Sequence, residues 1–214
     1  PVKYFLSIGD KEVSMNDLIS ENIEITFTGQ INCIKCGRKT SKSFAQGYCY
    51  PCFQNAPETE ECVLRPELCR AHEGVARDMD FAKEHCLIDH FVYLSYTSNL
   101  KVGVTRHSQI PTRWIDQGAV AAIKIARTEN RYQAGLIEVA LKKNLADKTN
   151  WRNMLKQSDY DINLVEEKNK VLTSVPEYLQ QFVLHNESEI TFIKYPLTKV
   201  PDKFSSLSFD KTNY

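Results

Sequence analysis

Four cysteines near the start of the chain form two closely spaced pairs. Two residues separate Cys33 from Cys36 and Cys49 from Cys52, and twelve residues separate the pairs. Two such pairs can supply four thiolates to one tetrahedral Zn²⁺, and Gly37 allows the tight turn that directs backbone N–H groups at sulfur. Two disulfides or four buried free thiols are the alternatives; a protein that is not exported disfavours the first, and the paired spacing disfavours the second. The pattern predicts a zinc site.

The other three cysteines suggest a second metal site. Cys62, Cys69 and Cys86 are an odd number, which suits a site of three cysteines and one histidine. His72 follows Cys69 closely enough to share its turn, and Cys86 can return from a distance to complete the tetrahedron. His90, four residues beyond Cys86, is the rival fourth ligand. The alternative is that these cysteines are core residues and the histidines are exposed. We predict a second Zn²⁺ bound by Cys62, Cys69, Cys86 and His72.

Positive charge is concentrated in two parts of a chain whose net charge is zero. Residues 91–157 carry eleven basic and four acidic side chains, a net charge of +7, whereas residues 33–57 carry four basic and no acidic side chains. Affinity for a polyanion grows with the number of phosphates that Lys and Arg neutralise. We therefore expect nucleic acid, DNA or RNA, as the partner; a solvated basic surface offset by acidic neighbours is the alternative. The residues expected to contact it are Lys35, Arg38, Lys39 and Arg106.

Composition excludes several classes of protein. With 214 residues, 42% of them hydrophobic, the chain is long enough to bury a core and too apolar to be disordered. It has no unbroken apolar run of roughly 18 to 20 residues and no secretory leader in its first residues. We expect a soluble, cytoplasmic protein without a membrane partner.

Hydrophobic periodicity predicts the elements that must position these residues. Residues 90–96 and 100–105 form a predicted hairpin around a tight turn, and residues 120–126 form a third strand. A helix is predicted over residues 131–145, where Leu136, Ile137, Ala140, Leu141 and Leu145 share one face. Further predicted strands cover residues 2–8, 22–31 and 190–195, and further helices cover 111–114, 151–156, 164–173 and 176–184.

These elements predict an α+β protein with four parts. An N-terminal β element covers residues 1–32, and a zinc-binding module with two candidate sites covers residues 33–89. A small three-stranded sheet with packed helices follows over residues 90–157. In residues 158–214 we expect a helical segment and a C-terminal strand that returns to the N-terminal β element.

The third part carries polar residues in a distinctive order. Tyr93 lies within the first strand and Gly103 within the second, where no side chain blocks a ligand. Arg113 begins the short helix and Glu138 lies in the long one. This order resembles the GIY-YIG endonuclease superfamily over about 60 residues. The corresponding motifs are Phe91-Val-Tyr93, Lys101-Val-Gly103, the helix arginine Arg113, and Gly135-Leu-Ile-Glu138, which ends at the metal-binding glutamate.

The resemblance implies a mechanism of phosphodiester cleavage. Glu138 would hold one Mg²⁺ or Mn²⁺, which stabilises the leaving oxygen, and Arg113 would neutralise charge on the pentavalent phosphate. Tyr93 would act in or beside general-base duty. The chain departs from the pattern where Lys101 replaces the second-motif tyrosine and Phe91 replaces the first-motif glycine. A lysine can clamp a phosphate or, with a lowered pKa, act as a base. We expect Tyr93, Arg113 and Glu138 to face one cleft.

A longer resemblance spans nearly the whole chain. The sequence is similar to a bacterial group, the domain of unknown function 2797, which implies no particular activity. The strings that carry this similarity are Cys33-Ile-Lys-Cys-Gly-Arg-Lys-Thr40, Gln46-Gly-Tyr-Cys-Tyr-Pro-Cys52, Lys101-Val-Gly-Val-Thr-Arg106 and Ile110-Pro-Thr-Arg-Trp-Ile-Asp-Gln-Gly118.

Two functions are therefore open. One is a zinc-containing nucleic-acid-binding protein with a GIY-YIG-like domain, acting as a divalent-metal-dependent nuclease. The other is a non-catalytic, zinc-stabilised scaffold that docks a protein or RNA partner. The basic segment suits both, whereas Lys101 departs from the catalytic pattern.

Overall fold

A computed structural model of the protein describes residues 1–24, 26–143, 145, 151–156, 162–196 and 200. The strands within these residues are β1 (Phe5–Ile8), β2 (Lys11–Ser14), β3 (Ile31–Asn32), β4 (Lys39–Thr40), β5 (His90–Tyr96), β6 (Leu100–Arg106), β7 (Ala121–Thr128) and β8 (Thr191–Phe192). The α-helices are α1 (Tyr50–Asn55), α2 (Met79–His85), α3 (Thr112–Asp116), α4 (Arg131–Lys142), α5 (Trp151–Lys156) and α6 (Leu164–Leu172). The α+β content agrees with the sequence-based prediction.

The main sheet is antiparallel, with its strands in the order β6-β5-β7-β8. The predicted hairpin is confirmed as β5 and β6, which place Tyr93 opposite Gly103. The expectation of three strands is wrong, because β8 pairs with β7 as a fourth strand. Since β5 occupies one edge of β7, the other edge would otherwise expose unpaired backbone groups.

The two faces of this sheet pack against different helices. Alternate residues of β5 point to opposite faces, so Val92 and Leu94 lie in one core and Tyr93 in another. The first core includes Ile137 of α4 and residues of α6. The second contains Trp114 of α3, whose indole meets the Tyr93 ring edge-on with centroids 5.8 Å apart. Strand β6 therefore lies at the edge of the sheet where α3, on one face, and α4, on the other, come near each other.

Helix α4 follows the predicted apolar spacing. Ala134, Ile137 and Leu141 are buried, and the helix begins after Asn130, whose side chain accepts a hydrogen bond from the backbone N–H of Gln133 at 3.0 Å. The helix ends at Lys142, three residues before the predicted end. The other side of α4 packs against a 3-10 helix, Pro66–Leu68, so the cysteine-rich segment contacts the sheet domain directly.

The ends of the chain only partly follow the predictions. Strands β1 and β2 form the N-terminal hairpin, but the strand predicted over residues 22–31 is replaced, in the described residues, by a single bridge at Thr26 and by the short β3. The predicted helix over residues 176–184 is a 3-10 helix, Glu177–Phe182. The backbone N–H of Val2 donates to the carbonyl of Lys194 at 2.9 Å. The tail beyond Pro196 lies, apart from residue 200, outside the described residues. None of the described helices is both long and apolar enough to cross a membrane.

Candidate metal clusters and a basic cleft

The four paired cysteines come together in one cluster. The sulfur atoms of Cys33, Cys36, Cys49 and Cys52 all lie within 4.8 Å of one another, and those of Cys36 and Cys49 are 3.8 Å apart. In a tetrahedral site with Zn–S bonds of about 2.3 Å, sulfur atoms are separated by about 3.8 Å. The cluster thus has the ligand type, number and spacing that can hold a zinc ion.

Local structure explains how the sequence forms this cluster. Gly37 adopts φ +72°, and its backbone N–H donates to the carbonyl of Cys33 at 2.8 Å, closing the first turn. Cys49 is the N-cap of α1 and Cys52 lies in its first turn, with Pro51 as the second residue of the helix. The unpaired N–H groups and the dipole at a helix start favour thiolates.

The electrostatics of the cluster favour ionised sulfur at Cys33 and Cys36, whereas burial raises the pKa of Cys52 to about 12. Desolvation raises the pKa of Cys33, but backbone hydrogen bonds from Cys49, Cys36 and Lys35 outweigh it and lower the pKa to about 6. Arg38 donates from Nε to the sulfur of Cys36 at 3.2 Å. A thiol with a low pKa is already a metal ligand near neutral pH.

The second cluster contains three cysteines. The sulfur atoms of Cys62, Cys69 and Cys86 lie within 4.8 Å of one another and all three residues are buried. Hydrogen bonds with Cys62 and Cys86 lower the pKa of Cys69, whereas hydrogen bonds with Cys69 and Cys86 raise the pKa of Cys62. The three thiols therefore share their protons, and a metal cation can take the place of these protons.

Neither candidate histidine belongs to this second cluster in the structure. The ring of His72 stacks on Tyr132 with centroids 4.3 Å apart, and His72 is not among the residues grouped with the three sulfurs. His90 is buried, with Nδ1 2.7 Å from the carbonyl of Ile88. Its other ring nitrogen remains the one suited to a metal. The described cysteines are all free of disulfides, and the second cluster can hold a zinc ion through three sulfurs.

A cleft of about 240 Å³ opens beside the edge strand β6. Its charged lining residues are Lys101, Arg113, Glu138 and Lys142. One wall comes from the cysteine-rich segment, through Val63, Leu64 and Pro66, and the backbone of Gly103 lies between the walls. Three of the four residues assigned catalytic roles by resemblance therefore meet in one cavity.

Tyr93 does not line this cleft, contrary to the expectation. Its side chain is fully buried beside Gly103, and its hydroxyl donates to Oε1 of Gln117, a lining residue, at 2.7 Å. Burial raises the pKa of Tyr93 to about 12, against the lowering effect of nearby Arg113. Side chains alternate along β5, so the tyrosine reaches the cleft from beneath, where it interacts with Gln117 and Arg113.

Gly103→Ala is expected to displace the Tyr93 ring. A Cβ at position 103 would lie 2.6 Å from the tyrosine hydroxyl and 2.7 Å from its neighbouring ring carbon, closer than real atoms approach. The hydrogen bond to Gln117 should break and the melting temperature should fall, because an overpacked core site typically loses about 1 to 3 kcal/mol. Thermal unfolding and near-UV circular dichroism check this. Gly103→Ala with Tyr93→Phe should recover only in part, because the ring carbon stays in conflict after the hydroxyl is removed. An unchanged melting temperature in the single variant contradicts the packing.

Glu138 is the buried acid of the cleft. Desolvation raises its pKa above the ordinary value, although the ammonium of Lys142, 3.3 Å from Oε1, acts in the opposite direction. A carboxylate held in so dry a place gains from a nearby cation. The ion pair to Lys142 joins residues four apart on α4.

The residues predicted to bind nucleic acid lie in two parts of the chain, three of them near the first cysteine cluster and one at the end of β6. Lys35 pairs with Glu58, Nζ to Oε1 2.5 Å, and Arg38 contacts sulfur, so both are engaged within the first cysteine cluster. Lys39 is exposed on β4. Arg106, at the end of β6, lines a second pocket beside the cleft, together with Arg113 and Arg131.

Three residues of the cleft and its neighbour were missed by the sequence reasoning. Gln117 lies in the string shared with the family, Lys142 is four residues beyond Glu138, and Arg131 begins α4. The spacing of Glu138 and Lys142 indicated a helix pair, which the structure contains. Nothing in the sequence placed Arg131 near β6.

The fold and the clusters first define a class: an α+β protein in which a small antiparallel sheet packs against segments whose clustered cysteines can hold zinc ions. The comparison with protein families then identifies the family of the chain. A family model described as "Protein of unknown function (DUF2797)" matches residues 20–214, and the chain belongs to that family. No curated protein and no solved structure matches it.

Proposed function

We propose that this protein is a zinc-containing nucleic-acid-binding protein whose cleft hydrolyses phosphodiesters. The observation that carries the proposal is the meeting of Lys101, Arg113 and a buried Glu138 in one cavity at the edge of the sheet. Two cations and one desolvated acid are the groups that a phosphoryl-transfer site needs for positioning and charge stabilisation. The order of these residues, which resembles the GIY-YIG superfamily, supports the same proposal.

In this proposal the chain's own residues bind and orient the phosphate. Arg113 contacts the non-bridging oxygens and stabilises the charge that develops on them. Lys101 acts as a phosphate clamp rather than as the tyrosine of the second motif. Because Oε1 of Gln117 accepts a hydrogen bond from the Tyr93 hydroxyl, the amide nitrogen of Gln117 is the donor left to contact substrate or water. Tyr93 is thus a positioning residue, since its hydroxyl is buried and its pKa is raised to about 12.

A divalent cation fits this cleft only together with substrate. Glu138 is the acidic side chain that lines it, and the groups of potential metal ligands in the described residues are the two cysteine clusters. Mg²⁺ often binds through one or two carboxylates, several waters and substrate phosphates. Glu138 would be the protein ligand, and the cation would supply charge stabilisation at the leaving oxygen. Lys142 would be displaced from Glu138 when the cation binds.

The zinc ions have a structural role in the proposal. The first cluster offers four cysteines, the ligand set of a closed structural site, and the second offers three buried cysteines. The segment between Cys62 and Cys69 carries Val63 and Pro66, which form one wall of the cleft. Zinc at the second cluster therefore supports the shape of the site.

A second candidate function is a non-catalytic binding module. The specific observation in its favour is the burial of Tyr93, which removes the hydroxyl from the cleft, together with the pairing of Glu138 with Lys142. In this alternative the basic residues bind a protein or RNA partner and the cleft does no chemistry.

The deciding experiment separates binding from cleavage. Wild type, Glu138→Gln and the exposed control Glu129→Gln are incubated with labelled DNA and structured RNA in the presence of Mg²⁺ or Mn²⁺. We expect Glu138→Gln to lose cleavage by roughly 100-fold or more while it retains binding, because a preorganised charge is lost. Glu129→Gln should behave as wild type. Binding without cleavage by wild type would support the module; neither activity at low salt would defeat both.

Thermal unfolding is the check that the Glu138→Gln variant is folded. Burial raises the folded-state pKa of Glu138 above its unfolded value, so its favourable contribution exists only at low pH and is lost as the pH rises through the folded pKa. Where the pH lies above that folded pKa, the ionised, buried carboxylate lowers stability. Glu138→Gln should therefore melt no lower than wild type at pH 7, and any loss of cleavage is then chemical.

A further inference from the structure

A second pocket, of about 190 Å³, adjoins the cleft and is lined by three guanidinium groups. Its charged residues are Arg106, Arg113 and Arg131, and none of the described residues that line it is acidic. Arg113, Val63, Pro66 and Val104 line both cavities, so the two are neighbours. The pocket is smaller than a typical small-molecule site, which suits one anionic group rather than a whole ligand.

Arg131 is fixed with one donor left over. Its two terminal nitrogens donate to the carbonyls of Cys62 and His85, each at 3.1 Å. These carbonyls satisfy two N–H groups but bring no negative charge. Nε of Arg131 is buried and has no hydrogen-bond partner among the described residues. A buried, charged donor without a partner is costly, and a bound acceptor would satisfy it.

Arg106 and Arg131 repel each other across the pocket. Desolvation and the charge of Arg131 both lower the pKa of Arg106, while the side chain stays protonated because arginine does not lose its proton in proteins. The Arg106 side chain makes no hydrogen bond or ion pair with a described residue, and the sulfur of Cys86 opposes the effect of Arg131 only in part. Like charges that lie close together repel each other, and an anion bound between them would remove that cost.

The nearby negative charges do not balance the three arginines. With Zn²⁺ bound, the second cysteine cluster carries one net negative charge, which can offset Arg131. Glu138 lies in the adjacent cleft, where it pairs with Lys142. Arg106 and Arg113 are left without a counter-ion from the residues that line the pocket.

We propose that this pocket binds a phosphate group next to the phosphate held in the cleft. The inference rests on the proposed function and makes it more specific: the substrate carries at least two phosphates, and Arg113 bridges them. Arg106 and Nε of Arg131 donate to the oxygens of the second phosphate, a geometry that guanidinium groups provide and lysine does not. The protein therefore binds two neighbouring phosphates of a polynucleotide before any bond is cut.

The test uses Arg106→Gln, which removes the charge and keeps most of the side-chain volume. Arg131 is unsuitable as the first variant because it anchors the carbonyls of Cys62 and His85. The matched control is Arg127→Gln, an exposed arginine of β7 outside the pocket that pairs with Asp89. Affinity for short fluorescein-labelled DNA and RNA is measured by anisotropy over a series of salt concentrations, without divalent cations so that nothing is cleaved.

We expect Arg106→Gln to weaken binding about 10-fold and to reduce the slope of log affinity against log salt by about one, because one phosphate contact is lost. Arg127→Gln should bind as wild type. Equal weakening by both variants would mean a diffuse basic surface, and no weakening by Arg106→Gln would mean an unused pocket; either result overturns the proposal. Competition by polyglutamate as strong as by inorganic pyrophosphate would also overturn it, since the pocket is argued for phosphate.

Two further arms identify the phosphate and separate this proposal from the nuclease. Oligonucleotides with and without a 5′-phosphate are compared: a preference that Arg106→Gln abolishes indicates a terminal monoester, and an equal loss on both indicates an internal diester. Arg106-dependent binding without cleavage by wild type supports the pocket and removes the nuclease. Cleavage by wild type with unchanged affinity in Arg106→Gln keeps the nuclease and removes the pocket.

Discussion

Chelation of zinc is expected to unfold the cysteine-rich segment and to leave the four-stranded sheet folded. Every buried residue between positions 31 and 88 is a cysteine or an alanine: Cys33, Cys49, Ala56, Cys62, Cys69, Ala71, Ala82 and Cys86. The three buried alanine methyl groups contribute only about 2 kcal/mol at roughly 0.8 kcal/mol each. A structural zinc supplies roughly 10 to 16 kcal/mol of apparent binding free energy. Zinc bound at these clusters would therefore be the main source of stability in this segment.

The sheet has an independent source of stability. Val92, Leu94, Ile123, Ile125 and Ile137 are buried together in one core, which contains no cysteine. Hydrophobic burial of this kind does not depend on a metal. Hydrogen exchange after chelation should show lost protection in residues 31–88 and retained protection in β5 and β7. Elemental analysis should give two zinc ions per chain, one for each cluster.

Paired variants distinguish the two clusters. Cys36→Ser should release one zinc and leave the cleft intact, because Cys36 belongs to the first cluster and no residue of that cluster lines the cleft. Cys69→Ser should release the other zinc and also weaken nucleic-acid binding, because Val63 and Pro66 of the cleft wall lie between Cys62 and Cys69. A chain that keeps its full protection with no metal bound would show that the cysteines are simply core residues. If wild type binds a single zinc ion per chain, the serine variant that still binds one zinc ion identifies the cluster that holds none.

The spacing of residues along the chain was enough to predict most secondary-structure elements, but not which elements contact each other. The hairpin of β5 and β6, the helix α4 and the two cysteine groups follow from patterns within a few residues. The strand near residue 191 was predicted too, but with the N-terminal β element as its partner. It pairs with β7 instead, because strand pairing depends on which edge of the sheet remains free. The fate of His72, which stacks on Tyr132 of α4, depends on packing between segments 60 residues apart in sequence.

The burial of Tyr93 shows the same limit within the candidate site. The resemblance implied that Tyr93, Arg113 and Glu138 would face one cleft, whereas the lining of the cavity includes Arg113, Glu138 and Lys101 but not Tyr93. The side to which a strand residue points is set by the pairing register and by the neighbouring helix, here α3 with Trp114. Gly103 was assigned open space for a ligand, but the tyrosine occupies that space.

Gly135 holds the contact between the two halves of the site. A glycine within the apolar pattern of α4 is a sign of close backbone approach. A Cβ at position 135 would lie 2.8 Å from Cα of Glu67 and closer still to the backbone nitrogen of Glu67 and the carbonyl carbon of Pro66. Backbone atoms cannot swing aside as a flexible side chain does. The 3-10 helix Pro66–Leu68 can approach α4 this closely only because position 135 has no side chain.

Gly135→Ala is therefore expected to destabilise the protein, although alanine is the better helix former by about 1 kcal/mol. The clash must move the segment that carries Cys69 and Pro66, and overpacking alone typically costs about 1 to 3 kcal/mol. We expect a lower melting temperature, a partial loss of zinc from the second cluster and weaker binding at the cleft. Val139→Ala, at an exposed position of the same helix, is the control and should melt at or slightly above the wild-type temperature. If Gly135→Ala melts higher, propensity has outweighed packing, and α4 cannot be the support that joins the cleft wall to the sheet.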